Sequence, residues 1–240
     1  MFAGLKYLLT GGERASPYHF NKVRERHPHL VLSNIYGPTE NTTFTTSHRI
    51  ERTYSGDIPI GRPIANTEVL ILDANGSPLP VGVAGEICAA GDGLARGYLN
   101  DSELTQRRFT PHPWEPARRI YRTGDSGLWR ADGTIEYLGR IDDQVKIRGY
   151  RIEPAEIEYH ILQDPTVKEA VVLARDLGGS AKELVAYVTT KTGDATWDGN
   201  ELRERLKQAL PDYMVPSFVV RLERMPLNAN GRCSSANTWI

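Results

Sequence analysis

The sequence predicts an α/β and α+β protein: a partial parallel α/β sheet, a small β-rich sheet or barrel, and a compact β-α-β-β-α-β domain. Three observations predict it. Near the N-terminus two short apolar runs flank a helical stretch, the pattern of one crossover unit of a parallel sheet. From Ile58 to Leu138 short β-rich runs alternate with the turn dipeptides Asn75-Gly76 and Asp132-Gly133. After Gly139-Arg140 the texture changes again, and strand-like and helix-period segments take turns.

Taken in order, Leu5 to Thr10 reads as a short buried strand that Gly11-Gly12 ends. Ser16-Pro17 offers an N-cap and a first helical position for a helix through about Arg26. Leu30 to Leu32 is a second buried strand. Loops would leave the carboxyl ends of these strands at Gly11-Gly12-Glu13 and Tyr36-Gly37-Pro38-Thr39-Glu40, where open α/β sheets bind ligands. In the β-rich part the expected strands are Thr67 to Leu72, Gly85 to Ala89, Ile120 to Thr123 and Thr134 to Leu138, with a short helix at Asp101 to Phe109.

Further on, Val145 to Ile147 is a strand and Arg148-Gly149-Tyr150 bends the chain. Pro154 to Leu162 is an amphipathic helix with Ile157, Ile161 and Leu162 on one face. Strands follow at Val167 to Ala174 and Leu184 to Thr190. A helix spans Gly199 to Ala209 before Pro211, and Phe218 to Leu222 is a last strand. The expected division is 1–141, 142–232 and a tail at 233–240.

The chain has 240 residues, 40% hydrophobic and 25% charged, with a formal net charge of -1. That is the composition of an ordinary soluble chain of one or two domains. The near-neutral balance gives no reason to expect a nucleic-acid or membrane partner. Cys88 and Cys233 form no CxxC, so a disulfide framework or zinc site is not expected. The N-terminal apolar patch soon meets Gly-Gly-Glu-Arg, too short and polar for a signal peptide or a membrane span. A cytoplasmic location is the expectation.

The stretch Ser33-Asn34-Ile35-Tyr36-Gly37-Pro38-Thr39-Glu40-Asn41-Thr42-Thr43-Phe44 combines types suited to a nucleotide. A tyrosine stacks on a base, and an asparagine reads a purine's amino edge. A threonine hydroxyl and backbone N–H groups hold a phosphate oxygen, and a glutamate holds a hard cation beside it. A polar turn that caps the next element would use the same residues.

Asn34-x-Tyr36-Gly37-Pro38-Thr39-Glu40 resembles a core motif of the adenylate-forming superfamily, specifically the adenylation (AMP-binding) domains of nonribosomal peptide synthetases. Further motifs follow in the family's order: Gly85 to Leu99, Tyr121-Arg122-Thr123-Gly124-Asp125, and Gly139 to Glu153. The resemblance runs from Leu5 to about Arg232.

The resemblance implies that ATP and an amino acid react to an aminoacyl-adenylate and pyrophosphate. The acyl group then passes to the phosphopantetheine thiol of a separate carrier. It implies that Asn34 and Tyr36 hold the adenine, that Thr39 contacts the α-phosphate, and that Glu40 binds Mg2+. Gly11, Gly12 and Gly37 belong to loops that approach the nucleotide closely. Asp125 would accept from both ribose hydroxyls, with Tyr137 packed near the ribose and Arg140 reaching ribose or phosphate. An Asx-type turn, a strand aromatic and a surface ion pair are the plain alternatives for these three. Asp142 would be the hinge of the small domain. Lys146 would enter the site in the second half-reaction, or is a solvated strand charge. Leu8, Thr10, Ile35, Thr43 and Phe44 match positions of the amino-acid pocket, and core packing would also suit Leu8 and Ile35.

The sequence departs from the family in two ways. The family's phosphate loop, and the aspartate for the substrate's amino group, lie in an upstream half with no counterpart here. The chain is therefore expected to be a C-terminal fragment whose partners include that half, a carrier protein and other synthetase modules. Its partial sheet should expose an edge and an apolar face. The family's Asn-Gly-Lys reads Asn230-Gly231-Arg232 here; Arg232 stands at the position of the catalytic lysine and keeps its charge but changes its shape and reach, so the replacement is not conservative. An impaired amino-acid-activating ligase is the expected function. An inactive nucleotide-binding or synthetase-docking module and an acyl-CoA ligase are the alternatives.

Overall fold

The computed structural model describes residues 2, 4–178, 182–191 and 197–226. Arg232, Cys233 and the 233–240 tail lie outside the described residues. The chain forms two compact units, Met1–Asp142 and Asp143–Ile240.

The first unit opens with β1 (Tyr7–Thr10), α1 (Pro17–Arg26) and β2 (Val31–Tyr36). β1 and β2 pair in parallel, with Leu8 opposite Leu32 and Thr10 opposite Asn34. Pro17 starts α1 as expected, but Ser16 makes no capping bond to the backbone; its hydroxyl lies 2.9 Å from His19 Nδ1. The inner face of α1 buries Phe20 against Leu32, Ile50 and Ile58, with Leu8 packed alongside.

β2 corrects the sequence reading. The strand does not stop at Leu32 but runs through Ser33-Asn34-Ile35 to Tyr36. Its polar residues are tolerated because both edges are paired: β1 on one side, and the unexpected β3 (Thr46–Arg49) antiparallel on the other. A short β4 (Arg62–Pro63) completes the order β1-β2-β3-β4. β1 is the edge strand, with Tyr7 and Leu9 exposed on one face.

A second, antiparallel sheet is built from β5 (Thr67–Leu72), β6 (Gly85–Gly91), β7 (Phe109–Pro111), β8 (Arg119–Trp129) and β9 (Ile135–Arg140). α2 (Ser102–Arg108) precedes β7, and the Asp101 carboxylate caps it by accepting from Leu104 N–H. Alternation along β5 buries both faces of this sheet. Leu70 and Leu72 pack with Cys88, Ala90 and Ile120, while Val69 and Ile71 pack with Ile87, Ile135 and Tyr36. Tyr36 therefore joins the first sheet to the second. Each fully buried aliphatic side chain here contributes about 1.5–3 kcal/mol.

β8 is the second correction. The expected strand stops at Thr123, yet Gly124-Asp125 continue it inside an eleven-residue strand. Gly124 takes φ 72° where the ladders to β6 and β9 shift register nearby, so a bulge absorbs the residues that would otherwise end the strand.

In the second unit β10 (Val145–Ile147) and β11 (Tyr150–Ile152) form a hairpin of their own. The expected first strand of the β-α-β-β-α-β domain thus pairs with β11, outside the three-stranded sheet. That sheet is β12 (Val167–Arg175), β13 (Glu183–Thr190) and β14 (Phe218–Arg221), antiparallel then parallel. α3 (Pro154–Leu162) and α4 (Gly199–Ala209) cover it. Ile157, Ile161, Leu202 and Leu206 meet Val167, Val172, Leu184, Ala186 and Val188 in one core.

Candidate functional site

The first unit gathers a buried polar cluster around Asp125, whose side chain is 3% exposed. β8 carries Asp125 and places it opposite Arg140 of β9. Its Oδ2 accepts a 2.6 Å hydrogen bond from the Tyr36 hydroxyl. Its Oδ1 accepts from Arg140 Nη1 at 3.0 Å and from the Tyr137 hydroxyl at 3.4 Å. The Thr123 hydroxyl accepts from Asp125 N–H at 2.9 Å and donates to Ile87 O at 2.6 Å, fixing the backbone beneath it.

Burial and the facing carboxylate together hold both tyrosines in their neutral form. Burial, then the Asp125 charge, raises Tyr36 well above the usual phenol range. Burial first and Asp125 second push Tyr137 up to about 12. The phenolate forms of both hydroxyls are thus disfavoured well into the alkaline range.

Arg140 extends the cluster. Its Nη1 also donates to Thr123 O at 3.0 Å, while Nε and Nη2 form a fork on Asp142 at 2.8 and 2.6 Å. Arg108, at the end of α2, reaches the same Asp142 carboxylate at 3.3 Å. Asp142 is the last residue of the first unit. Gly124 leaves room for this network: a Cβ there would lie 2.6 Å from Asp142 Oδ2 and 2.8 Å from Arg140 Nη2.

The loop after β2 folds tightly on itself. Thr39–Asn41 make a single 3-10 turn. Thr42 and Thr43 then both take positive φ, 45° and 72°, which is strained for β-branched residues. The loop is pinned by Thr45 N–H to Tyr36 O at 2.7 Å and by the Thr42 hydroxyl to Gly93 O at 2.6 Å. Gly37 permits the close return, since a Cβ would sit 2.5 Å from Thr43 O. Thr39 and Thr43 are exposed, Phe44 is half-buried, and Glu40 is 8% exposed. The Glu40 carboxylate accepts from the Tyr98 hydroxyl at 2.6 Å.

The remaining expected residues are distributed as follows. Asn34, Tyr36, Leu8 and Thr10 point to one face of the first sheet by strand alternation and register, whereas Ile35 points to the other. The Asn34 amide donates to Pro59 O at 2.8 Å, and Leu8 packs on the Phe20 cluster. Gly11 and Gly12 follow β1, and a Cβ on Gly11 would lie 2.2 Å from Ile35 O. Lys146 lies in β10 of the second unit, opposite Arg151. Sequence reasoning gave no role to Tyr98, Thr123 or Glu86, although all three lie inside the family motifs; Glu86 accepts from Gly124 N–H at 2.9 Å. It missed Arg108, whose helix carries no distinguishing signal.

Among the described residues no group of three or more His, Cys, Asp or Glu side chains could hold a metal ion. Among the same residues no helix is long and apolar enough to cross a membrane.

Comparison with known proteins agrees with this architecture. Residues 1–99 match the AMP-binding enzyme family, and residues 156–232 match the AMP-binding enzyme C-terminal domain. Tyrocidine synthase 3 of Brevibacillus parabrevis is 51% identical over 232 residues, which is 97% of this chain and 4% of that protein. Gramicidin S synthase 2 of Brevibacillus brevis is 50% identical over 232 residues, 97% of this chain and 5% of that protein. The chain thus spans a small part of the curated relatives it matches.

Among solved structures, holo-PA1221, an NRPS protein containing adenylation and PCP domains bound to a vinylsulfonamide inhibitor, superposes with a TM-score of 0.81 at 38% identity. The match covers 97% of this chain and 40% of that one. The Vibrio cholerae adenylation domain AlmE, in complex with glycyl-adenosine-5'-phosphate, gives a TM-score of 0.82 at 29% identity, over 95% of this chain and 43% of that one. With both halves matched in chain order and relatives about half identical along its length, the chain belongs to the adenylate-forming AMP-binding enzymes, in the branch of the nonribosomal peptide synthetase adenylation domains.

Proposed function

We propose that this chain supplies the nucleotide-contacting part of a site that activates an amino acid with ATP. The substrate carboxylate attacks the α-phosphate, the α–β phosphoanhydride bond breaks, and pyrophosphate leaves with the bonding electrons. The sulfur of a carrier's phosphopantetheine thiol then attacks the aminoacyl carbonyl, the bond to the phosphate oxygen breaks, and AMP leaves. The single observation that carries the reading is the buried Asp125 carboxylate, held by Tyr36, Tyr137 and Arg140. An ionised carboxylate has about four acceptor positions, so one fixed in this way still takes ribose hydroxyls. The 3.4 Å contact from Tyr137 is long for an O–H···O bond and is the one a ribose hydroxyl replaces.

In this reading residues 1–141 are part of the large AMP-binding domain, 142–232 are its C-terminal domain, and Asp142 is the hinge. Asn34 and Tyr36 lie against the adenine, and Gly11, Gly12 and Gly37 let the backbone approach the nucleotide. Thr39 contacts the α-phosphate, Arg140 the ribose or phosphate, and Lys146 serves the second half-reaction. Leu8, Thr10, Ile35, Thr43 and Phe44 are the pocket candidates. Glu40 fits a divalent cation, because Mg2+ is commonly held by one or two carboxylates together with substrate phosphates. When bound, Mg2+ neutralises phosphate charge. AlmE in complex with glycyl-adenosine-5'-phosphate, an aminoacyl-adenylate, and PA1221 with its adenylation and PCP domains in one chain support this chemistry.

Isothermal titration calorimetry with ATP and Mg2+, on chain shown to be folded by circular dichroism, tests the reading. Saturable binding that Asp125→Ala weakens at least tenfold is expected. Binding unaffected by Asp125→Ala removes the ribose assignment, and no binding removes the nucleotide site. Arg232, in place of the family's lysine, favours a second reading: a module that binds nucleotide or docks on a synthetase without chemistry. Amino-acid-dependent pyrophosphate exchange separates the two, and exchange that appears only in Arg232→Lys would establish the second.

A further inference from the structure

We propose that Tyr98 is a positioning residue for Glu40: its hydroxyl holds the carboxylate in the orientation in which Glu40 takes the divalent cation of the nucleotide. The inference rests on the reading of Glu40 given above and adds a residue to it.

The segment from Ala95 to Tyr98 grips Glu40 twice. Ala95 N–H donates to the Glu40 main-chain carbonyl at 2.8 Å. The Tyr98 hydroxyl donates to Glu40 Oε1 at 2.6 Å, across a sequence separation of 58. Tyr98 is itself fixed at both ends. Its backbone N–H donates to the Thr105 hydroxyl at 2.9 Å, and that hydroxyl donates to Asp101 O at 2.7 Å. Its ring meets Phe109 edge-on at 5.8 Å, and its hydroxyl lies 3.2 Å from that of Tyr121.

The chemistry of the donor matters. A lysine or arginine in this position would cancel the negative charge that a cation needs. A phenol orients the carboxylate and leaves its charge in place. Outer hydrogen bonds of this kind fix the orientation of metal-binding side chains, and their loss typically costs about 10- to 100-fold in metal affinity.

The test uses Mn2+ as the probe, with binding to the chain–ATP complex followed by electron paramagnetic resonance. ATP binding in EDTA is measured beside it by calorimetry. Tyr98→Phe keeps the ring on Phe109 and removes only the hydroxyl. The expected result is about a 10- to 100-fold loss of Mn2+ affinity with ATP affinity in EDTA unchanged. Equal Mn2+ affinity in Tyr98→Phe, with Glu40→Gln still losing it, overturns the role of Tyr98 and leaves Glu40 as the cation ligand. Equal losses with and without metal overturn it too, because they mark a structural role only. Wild-type chain whose Mn2+ binding does not respond to Glu40→Gln overturns the reading of Glu40 and this inference with it. Should Tyr98→Phe not fold, Tyr121→Phe loosens the same hydroxyl: a metal-specific loss of several-fold supports the role, and none overturns it.

Discussion

The hydroxyl of Tyr36 donates a 2.6 Å hydrogen bond to Asp125, which lies 89 residues further along the chain. One bond thus ties the end of β2 in the first sheet to the middle of β8 in the second. Tyr36→Phe keeps the ring in its apolar cluster with Ile60, Val69, Ile71, Ile87 and Ile135 but deprives a buried carboxylate of a donor. The expected loss of stability is about 1–3 kcal/mol. Urea unfolding of Tyr36→Phe, Asp125→Asn and the double variant measures it. Strict additivity of the two changes would show that the pair is not coupled.

Gly124 is required twice, by its φ of 72° and by the space it leaves. An added Cβ would press on Asp142 Oδ2 and Arg140 Nη2 as well as strain the backbone. Gly124→Ala should destabilise the first unit by more than about 1 kcal/mol. A thermal melt within a degree of wild type would refute the bulge.

Cys88 is a fully buried free thiol, pushed by burial first and by Glu86 second from its ordinary 9.0 up to about 12. The folded state therefore favours the protonated thiol, and above pH 9 the unfolded chain binds fewer protons than the native one. The stabilisation is fully present below pH 9 and is lost as pH rises toward about 12, at up to roughly 1.4 kcal/mol per pH unit. In a Cys233→Ser background the urea midpoint should fall between pH 9 and 11, and iodoacetamide should label Cys88 only after unfolding. Rapid labelling of native chain at pH 8 would contradict this burial.

Arg148 and Gly149 both take positive φ, 53° and 82°, in the two-residue turn between β10 and β11. Such turns favour Asn-Gly, because asparagine tolerates the left-handed region better than arginine does. The exposed ion pair of Arg148 with Glu183 at 3.1 Å offsets little of this. Arg148→Asn should raise the stability of the second unit by a few tenths to about 1 kcal/mol, read from its guanidinium midpoint. A lower midpoint would mean that the ion pair outweighs the turn.

Much of the architecture was legible in short windows. α1 begins at Pro17 and α3 at Pro154, α4 ends before Pro211, and β5, β12 and β13 follow their apolar runs closely. These are local matters of ring geometry and side-chain period. The reading failed where polar or turn-forming residues continue a strand. Ser33 and Asn34 in β2, and Gly124 and Asp125 in β8, fall just past the ends of the expected strands because their partners lie in distant segments. β3 was missed for the same reason: Thr46–Arg49 has no apolar run, and only pairing with β2 makes it a strand.

The sequence by itself determined the family, through motifs whose residues lie within a few positions of one another and so survive as text. It also determined the mixed α/β character and the helix boundaries. Only the tertiary structure decided that Tyr36, Tyr137 and Arg140 converge on Asp125, that Arg140 and Arg108 both hold Asp142, and that Tyr98 meets Glu40. Apart from the Arg140–Asp142 pair, those contacts join segments well separated in sequence, and the Tyr36–Asp125 bond forms where burying Tyr36 with Ile71, Ile87 and Ile135 brings the two sheets of the first unit together. No window of sequence contains that packing.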